Sequence, residues 1–330
     1  MSKRKNYIKS CEVSELIELD LGGYKQKILI EGKTKNLPVV VCLHGGPGSP
    51  VPFSVGCRGL FPEWTSKAIM VYWDQLGCGI NNYKIDDGFK IANFVDMTCD
   101  LVNYLKGRFP ENKIYLFGVS WGSILALESA VRIPEKLSGV VVYGQVLKHL
   151  LFNGEVEEAF SAAPESVKKT VQKILETGQD CEYKVLEKNI QELFKLLRKH
   201  TDAYNNGNAK PVPIVKVIKG LLTSPDYTFK DFKAVVKNGY QGNQSLWADL
   251  LNTDLSSRLS QINVKYLILQ GDTDVIASTK NVVEAVENCK NDNLTVRILK
   301  NSGHLPSQAA MEEIITALCD FIKRKKFYRI

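Results

Sequence analysis

The sequence predicts an α/β fold: a doubly wound, mostly parallel sheet wrapped by helices, with a helical insertion in its second half. Three observations predict it. Short apolar runs without alternation recur, as strands covered on both faces require. Segments of helical period separate them, so strand and helix take turns along the chain. That rhythm breaks between about residues 147 and 255 and then resumes.

The elements follow in order. Residues 12–19 and 24–30 carry alternating or β-rich runs around a turn at Gly22-Gly23. Leu37 to Leu43 is a continuous apolar run that stops at His44-Gly45-Gly46-Pro47-Gly48, and Ala68 to Trp73 is a second run, ending at Asp74. From Asn93 the period changes. Phe94, Met97, Leu101 and Leu105 share one helical face, and Asp96 is expected in the first turn, where the helix dipole favours an acid. Lys113 to Phe117 reads as a buried strand, Trp121 to Arg132 as a helix stopped by Ile133-Pro134, and Leu137 to Tyr143 as the next strand. After the insertion come a strand at Lys265–Gln270, a helix over Lys280–Asn288, a strand at Leu294–Leu299 and a final helix from about Ser307 to Lys323. The expected organisation is a core in two parts, 1–146 and 256–330, interrupted by a helical cap over 147–255. Within the insertion, Leu186, Ile190, Leu193, Phe194 and Leu197 form an apolar stripe with Lys and Glu opposite. The expected use of that stripe is packing on the core rather than lying on a membrane surface.

Composition narrows the function classes. At 330 residues, 44% apolar and 24% charged, the chain has the profile of an ordinary globular protein with a full-sized core. The net charge of +7 sits at the two ends. Lys3, Arg4 and Lys5, with Lys323, Arg324, Lys325, Lys326 and Arg329, leave the body near neutrality, so the ends are expected to be solvated and no nucleic acid is expected as a partner. The eight cysteines contain no CxxC pair, and several sit inside apolar runs, as reduced core residues do. No apolar run follows the N-terminal basic residues, so no signal peptide is expected. No stretch approaches the ~18 consecutive apolar residues of a membrane span, and a cytoplasmic protein with no membrane partner is the expectation. The sequence leaves the oligomeric state open.

The chemistry begins at Gly118-Val119-Ser120-Trp121-Gly122, set between a buried strand and a helix. That is the context of a nucleophile elbow, in which the serine occupies a strained turn and small neighbours let the helix fold back over the strand. A serine hydroxyl is a weak nucleophile at neutral pH and needs a base. Of the four histidines, His44 belongs to the glycine-rich turn, and His149 and His200 lie at or within the insertion. His304 follows the last strand in a short loop, at the strand edge where the elbow also lies. The base in turn needs a carboxylate. Gly271-Asp272-Thr273-Asp274 offers two; Asp274 is better placed to turn back toward His304, whereas Asp272 suits local backbone N–H groups. The order Ser120, Asp274, His304 is the chain order such sites use. For a developing oxyanion, the N–H of Trp121 and one from the His44–Gly48 turn, Gly46 ahead of Gly45, are the expected donors.

His44-Gly45-Gly46-Pro47-Gly48-Ser49-Pro50, Asp74-Gln75-Leu76-Gly77-Cys78-Gly79 and Gly118-Val119-Ser120-Trp121-Gly122-Ser123, taken together, resemble the proline iminopeptidase family of α/β hydrolases over most of 37–145 and again over 262–322. The resemblance implies serine peptidase chemistry that releases an N-terminal residue without metal or cofactor. It also implies an oxyanion hole at Gly46 and Trp121, and acids in the helical cap that bind the substrate's free amine. Glu155, Glu157 and Glu158 are the acids near the start of the insertion, in a run of the kind that is usually a solvated face. Three positions depart from the family pattern: Leu76 replaces an arginine, Asn81 a serine and Val119 a glycine. The function expected first is therefore an aminopeptidase on short peptides or aminoacyl amides. An esterase, thioesterase or lactonase of the same mechanism is the alternative, and a binding module that has lost catalysis is the third.

Overall fold

A computed structural model of the chain describes residues 3–148, 150–179, 181–237, 240 and 243–323. His149 and four basic residues of the C-terminal end, Arg324, Lys325, Lys326 and Arg329, lie outside the described residues.

The apolar runs become strands β1 (Val13–Leu21), β2 (Tyr24–Gly32), β3 (Val39–Leu43), β4 (Ile69–Trp73), β5 (Ile114–Val119), β6 (Gly139–Tyr143), β7 (Tyr266–Gly271) and β8 (Leu294–Leu299). They form an eight-stranded sheet in the order β1-β2-β4-β3-β5-β6-β7-β8. The hairpin β1–β2 and the β2–β4 pair are antiparallel; every pairing from β4 across to β8 is parallel. Strands β3, β4 and β6 are buried along their whole length, while the edge strand β8 alternates, exposing Thr295 and Arg297 and leaving Val296 and Ile298 half-buried. Successive side chains point to opposite faces of a strand. Val41, Leu116 and Val142 accordingly join one apolar cluster with Phe94, Leu101 and Ile124, and their neighbours Val40, Phe117 and Val141 join another with Ile314, Leu318 and Phe321. Both faces of the sheet are thereby covered.

The helices are α1 (Lys3–Lys9), α2 (Pro62–Thr65), α3 (Ile91–Arg108) and α4 (Trp121–Arg132), then α5 (Gly154–Ala159), α6 (Glu165–Thr177), α7 (Tyr183–His200), α8 (Ile214–Leu222), α9 (Phe229–Ala234) and α10 (Gln244–Leu251) between β6 and β7, and finally α11 (Thr279–Cys289) and α12 (Gln308–Lys323). Among the described residues, the segment between β6 and β7 adds helices and no strand to the sheet. Its apolar stripe faces protein: Leu186, Ile190, Leu193 and Leu197 are buried in the first cluster and Phe194 packs against it. No helix among the described residues is long and apolar enough to cross a membrane. All eight cysteines are free thiols, with Cys42, Cys57, Cys78 and Cys319 buried.

Two expectations need correction. Helix α3 starts at Ile91, two residues early, so Asp96 lies past the first turn, where it pairs with Arg132 at 2.5 Å. Both side chains are largely exposed, which limits what the pair contributes. The N-terminal basic run is also not wholly solvated. Lys3 and Lys5 are exposed, but Arg4 is half-buried and donates to the carbonyls of Gly56, Arg58 and Gly220 at 2.9, 2.6 and 2.7 Å, tying α1 to the end of α8.

The parallel register brings the site together. Gly118 pairs with Leu43 on one side and Val142 on the other, and Gly271 pairs with Leu299. The turns that follow β3, β5, β7 and β8 therefore emerge along one edge of the sheet.

Candidate active site

Ser120 caps α4 with φ 49° and ψ −116°, a left-handed backbone that non-glycine residues rarely adopt. The surroundings hold it there. Its N–H donates to Tyr143 O at 2.9 Å. A Cβ on Gly118 would lie 2.6 Å from Gly122 O, and one on Gly122 would lie 2.0 Å from Leu43 O. Only glycines let α4 fold back this closely over the ends of β3 and β5.

The His304 loop approaches from the far side. Ser120 Oγ is 2.9 Å from His304 Nε2, and His304 Nδ1 is 2.9 Å from Asp274 Oδ2. Asp274 is 1% exposed, and its other oxygen accepts the N–H groups of Ile276 at 2.9 Å and Ala277 at 3.0 Å. An ionised Asp274 accepts a hydrogen bond from Nδ1–H, which leaves the Nε2 lone pair facing the serine hydroxyl. Asp272 takes a different place. It accepts the N–H groups of Asn301 and Ser302 at 3.0 and 2.9 Å, so it fixes the loop leading into His304 rather than its own turn. Tyr143 adds to this by donating its hydroxyl to Gly303 O at 2.5 Å. The stretch after α7 completes the frame. His304 N–H donates to Ala203 O at 2.8 Å, the Tyr204 ring sits 6.4 Å from the imidazole, and Arg198 donates to the Tyr204 hydroxyl at 2.7 Å.

The turn after β3 lies against the elbow: the Cβ direction of Gly45 points at Val119 O, 3.2 Å away, and at Ser120 Cβ, 3.5 Å away. The turn closes through Ser49 N–H to Gly45 O at 3.0 Å, and Gly46 within it has φ +120°. His44 holds this turn to the next one. Its Nδ1 lies 2.9 Å from Gly45 O and its Nε2 accepts Gln75 N–H at 3.0 Å, an arrangement that requires the neutral imidazole. Full burial lowers its pKa to about 4, which keeps it neutral. The Gln75 side chain then accepts the indole N–H of Trp121 at 2.8 Å, so one residue touches both expected oxyanion elements. The Asp74 carboxylate is buried and accepts from Val55 and Ile80 N–H at 2.9 and 3.0 Å and from the Tyr227 hydroxyl. Where the resembling family has arginine and serine, Leu76 is buried in the core and Asn81 orders the loop itself, donating to Asp74 O at 2.7 Å and Lys27 O at 3.0 Å.

Two cavities adjoin this edge. One, of about 290 Å³, is apolar and includes Gly45, Val119 and Leu305, next to the elbow and to His304. The other, of about 560 Å³, runs from Pro47 and Ser49 to Tyr183, Glu187 and Arg198 on α7 and to Trp247 on α10. The acids Glu155, Glu157 and Glu158 line neither cavity. Glu155 accepts the Ser278 hydroxyl, and the other two are exposed. Glu187, which sequence reasoning did not single out, is the carboxylate that reaches the larger cavity; it flanks an apolar stripe and has no local motif to mark it. Among the described residues no group of three or more His, Cys, Asp or Glu side chains is placed to hold a metal ion.

Comparison with known proteins agrees with this architecture. Residues 38–307 match the model of the α/β hydrolase fold family. The "Probable aminopeptidase YbaC" of Bacillus subtilis is 36% identical over 121 residues, 36% of this chain and 37% of that one. The proline iminopeptidase of Thermoplasma volcanium is 25% identical over 289 residues, 86% of this chain and 88% of that one. Among solved structures, the proline iminopeptidase of Mycobacterium smegmatis superposes with a TM-score of 0.64 at 16% identity, over 93% of this chain and 97% of that one. On the extent of the family match, the chain belongs to the α/β hydrolase fold family.

Proposed function

We propose that the chain is a serine hydrolase of aminopeptidase type, acting on short peptides or aminoacyl amides through an acyl-enzyme. The observation that carries this reading is the unbroken chain from Ser120 Oγ to His304 to Asp274, two contacts of 2.9 Å ending on a buried carboxylate. His304 Nε2 takes the hydroxyl proton as Ser120 Oγ bonds to the scissile carbonyl carbon, and the carbonyl π pair moves to oxygen. The N–H groups of Gly46 and Trp121 stabilise that oxyanion; Trp121, as first residue of α4, has an amide without a helical partner. The oxyanion collapses, the C–N bond breaks, and His304 gives its proton to the leaving amine. Water then attacks the acyl-enzyme, with His304 taking its proton and returning one to Ser120. The segment 147–255 serves as the cap over this site.

The amide reading is supported by the names of the similar proteins and by Glu187, a carboxylate available to a substrate's free amine. The apolar cavity beside Val119 favours a second reading, an esterase on an apolar acyl group. A fluorophosphonate probe should label the purified protein and not Ser120→Ala. Turnover of unblocked aminoacyl naphthylamides, lost on N-acetylation, supports the aminopeptidase. Turnover of p-nitrophenyl esters alone selects the esterase, and no labelling of the folded protein removes the nucleophile assignment.

A further inference from the structure

The apolar cavity is larger than a proline ring needs. An apolar protein cavity of ~150 Å³ is enough to hold benzene; this one measures about 290 Å³. Its wall is formed by Phe53, Phe117, Val119, Leu305, Met311 and Ile314. The wall is stiff. Phe53 packs edge-on against Phe117 with ring centroids 5.2 Å apart, and its other side meets Trp64 at 5.1 Å. The Tyr143 hydroxyl, a polar atom of a lining residue, is already committed to Gly303 O and Ser302 Oγ. The position relative to the reacting atom is also defined. Val119 and Gly45 bracket Ser120, and Ile214 is a wall common to this cavity and the larger one that holds Glu187.

From this we propose that the chamber binds the apolar group on the acyl side of the scissile bond. The inference rests on Ser120 as the nucleophile; under the aminopeptidase reading that group is the side chain of the substrate's N-terminal residue. The substrate class is then a peptide or amide beginning with a large apolar residue, leucine or phenylalanine, in preference to proline or alanine. A preformed, largely apolar pocket favours a side chain that fills it, and one extra apolar group in such a pocket is worth roughly ten- to two-hundredfold in kcat/KM.

The test measures kcat/KM of the full chain on phenylalanyl, leucyl, prolyl and alanyl naphthylamides, and on p-nitrophenyl acetate and octanoate. Met311→Trp, which fills the chamber from the first turn of α12, is compared with the conservative Met311→Leu. The expected result is a phenylalanyl-to-prolyl ratio of at least ten, which falls at least tenfold in Met311→Trp and is retained in Met311→Leu. The rate of fluorophosphonate labelling reports whether each variant keeps a folded site. A flat ratio in the wild type, or a ratio that Met311→Trp leaves unmoved while labelling persists, overturns the chamber assignment and leaves the hydrolase reading intact. No turnover of any aminoacyl amide, with octanoate outpacing acetate and the order reversed by Met311→Trp, overturns the aminopeptidase reading and supports the chamber as the acyl site. Equal turnover of acetate and octanoate, with no aminoacyl amide turned over, overturns the proposal.

Discussion

Asp272 accepts the backbone N–H of Ser302 at 2.9 Å and so fixes the loop that delivers His304, although it touches neither the imidazole nor the serine. Asp272 and Asp274 stand two residues apart and divide the work: one carboxylate holds the loop, the other meets the ring. Asp272→Ala removes two charge-assisted hydrogen bonds at a half-buried position, and each is worth roughly 1.5–3 kcal/mol. We expect a lower unfolding midpoint and about a tenfold loss of kcat, with KM close to wild type. Thermal unfolding beside steady-state kinetics checks this. An unchanged midpoint would mean that the loop does not depend on Asp272.

Asp274→Asn should act through the tautomer and not through the fold. The amide oxygen can keep the Ile276 and Ala277 N–H groups, which turns the NH2 toward His304 Nδ1. Nδ1 must then accept, the proton moves to Nε2, and Nε2 can no longer take the proton of Ser120. The expected loss is about 10⁴-fold in kcat, the size seen when the acid of a serine protease triad is made an amide. Unfolding by urea should stay near wild type. A variant retaining more than a tenth of the activity would point to a different acid.

Gly46→Ala tests the oxyanion assignment. With φ +120° and a Cβ that would sit 2.6 Å from Gly48 N, alanine forces the turn to move. Displacing one oxyanion donor costs about 10²–10³ in kcat. The loss should appear in kcat with KM nearly unchanged, since the donor acts on charge that develops only in the transition state. An equal rise in KM with kcat preserved would place Gly46 in substrate binding instead.

Much of this arrangement is legible in the chain because its signals are local. Unalternated runs such as Val39–Leu43 mark strands buried on both faces, and Gly118 and Gly122 mark a turn that tolerates no Cβ on either side of Ser120. What escapes the sequence joins segments far apart. Tyr204 beside His304, Gln75 beneath Trp121 and Arg4 among the carbonyls of the 56–58 loop and α8 are settled by how finished elements pack. Nothing within a few residues of any of them announces its partner. Glu187 is hidden for the same reason: on α7 it looks like any solvated acid until the helix is laid over the 47–49 turn.

His44 gives the protein a specific acid sensitivity. Burial holds its folded pKa at about 4, against an ordinary histidine value of 6.5, and the neutral ring is the one that accepts Gln75 N–H. Between those two values the unfolded chain binds a proton that the folded chain refuses, so stability is complete above pH 6.5 and falls as the pH drops toward 4. A shift of this size corresponds to about 3 kcal/mol. The buried carboxyls of Asp74 and Glu31 are held above their ordinary range by desolvation. They work in the opposite direction, since the folded state then binds the extra protons. A bulk unfolding curve therefore carries all three, and the imidazole has to be followed by itself. In an NMR titration the His44 ring resonances should stay at their neutral positions down to pH 5. Titration of His44 in the folded protein near pH 6.5 would mean that the His44–Gln75 contact does not depend on a neutral ring, and acid lability would then have to arise elsewhere.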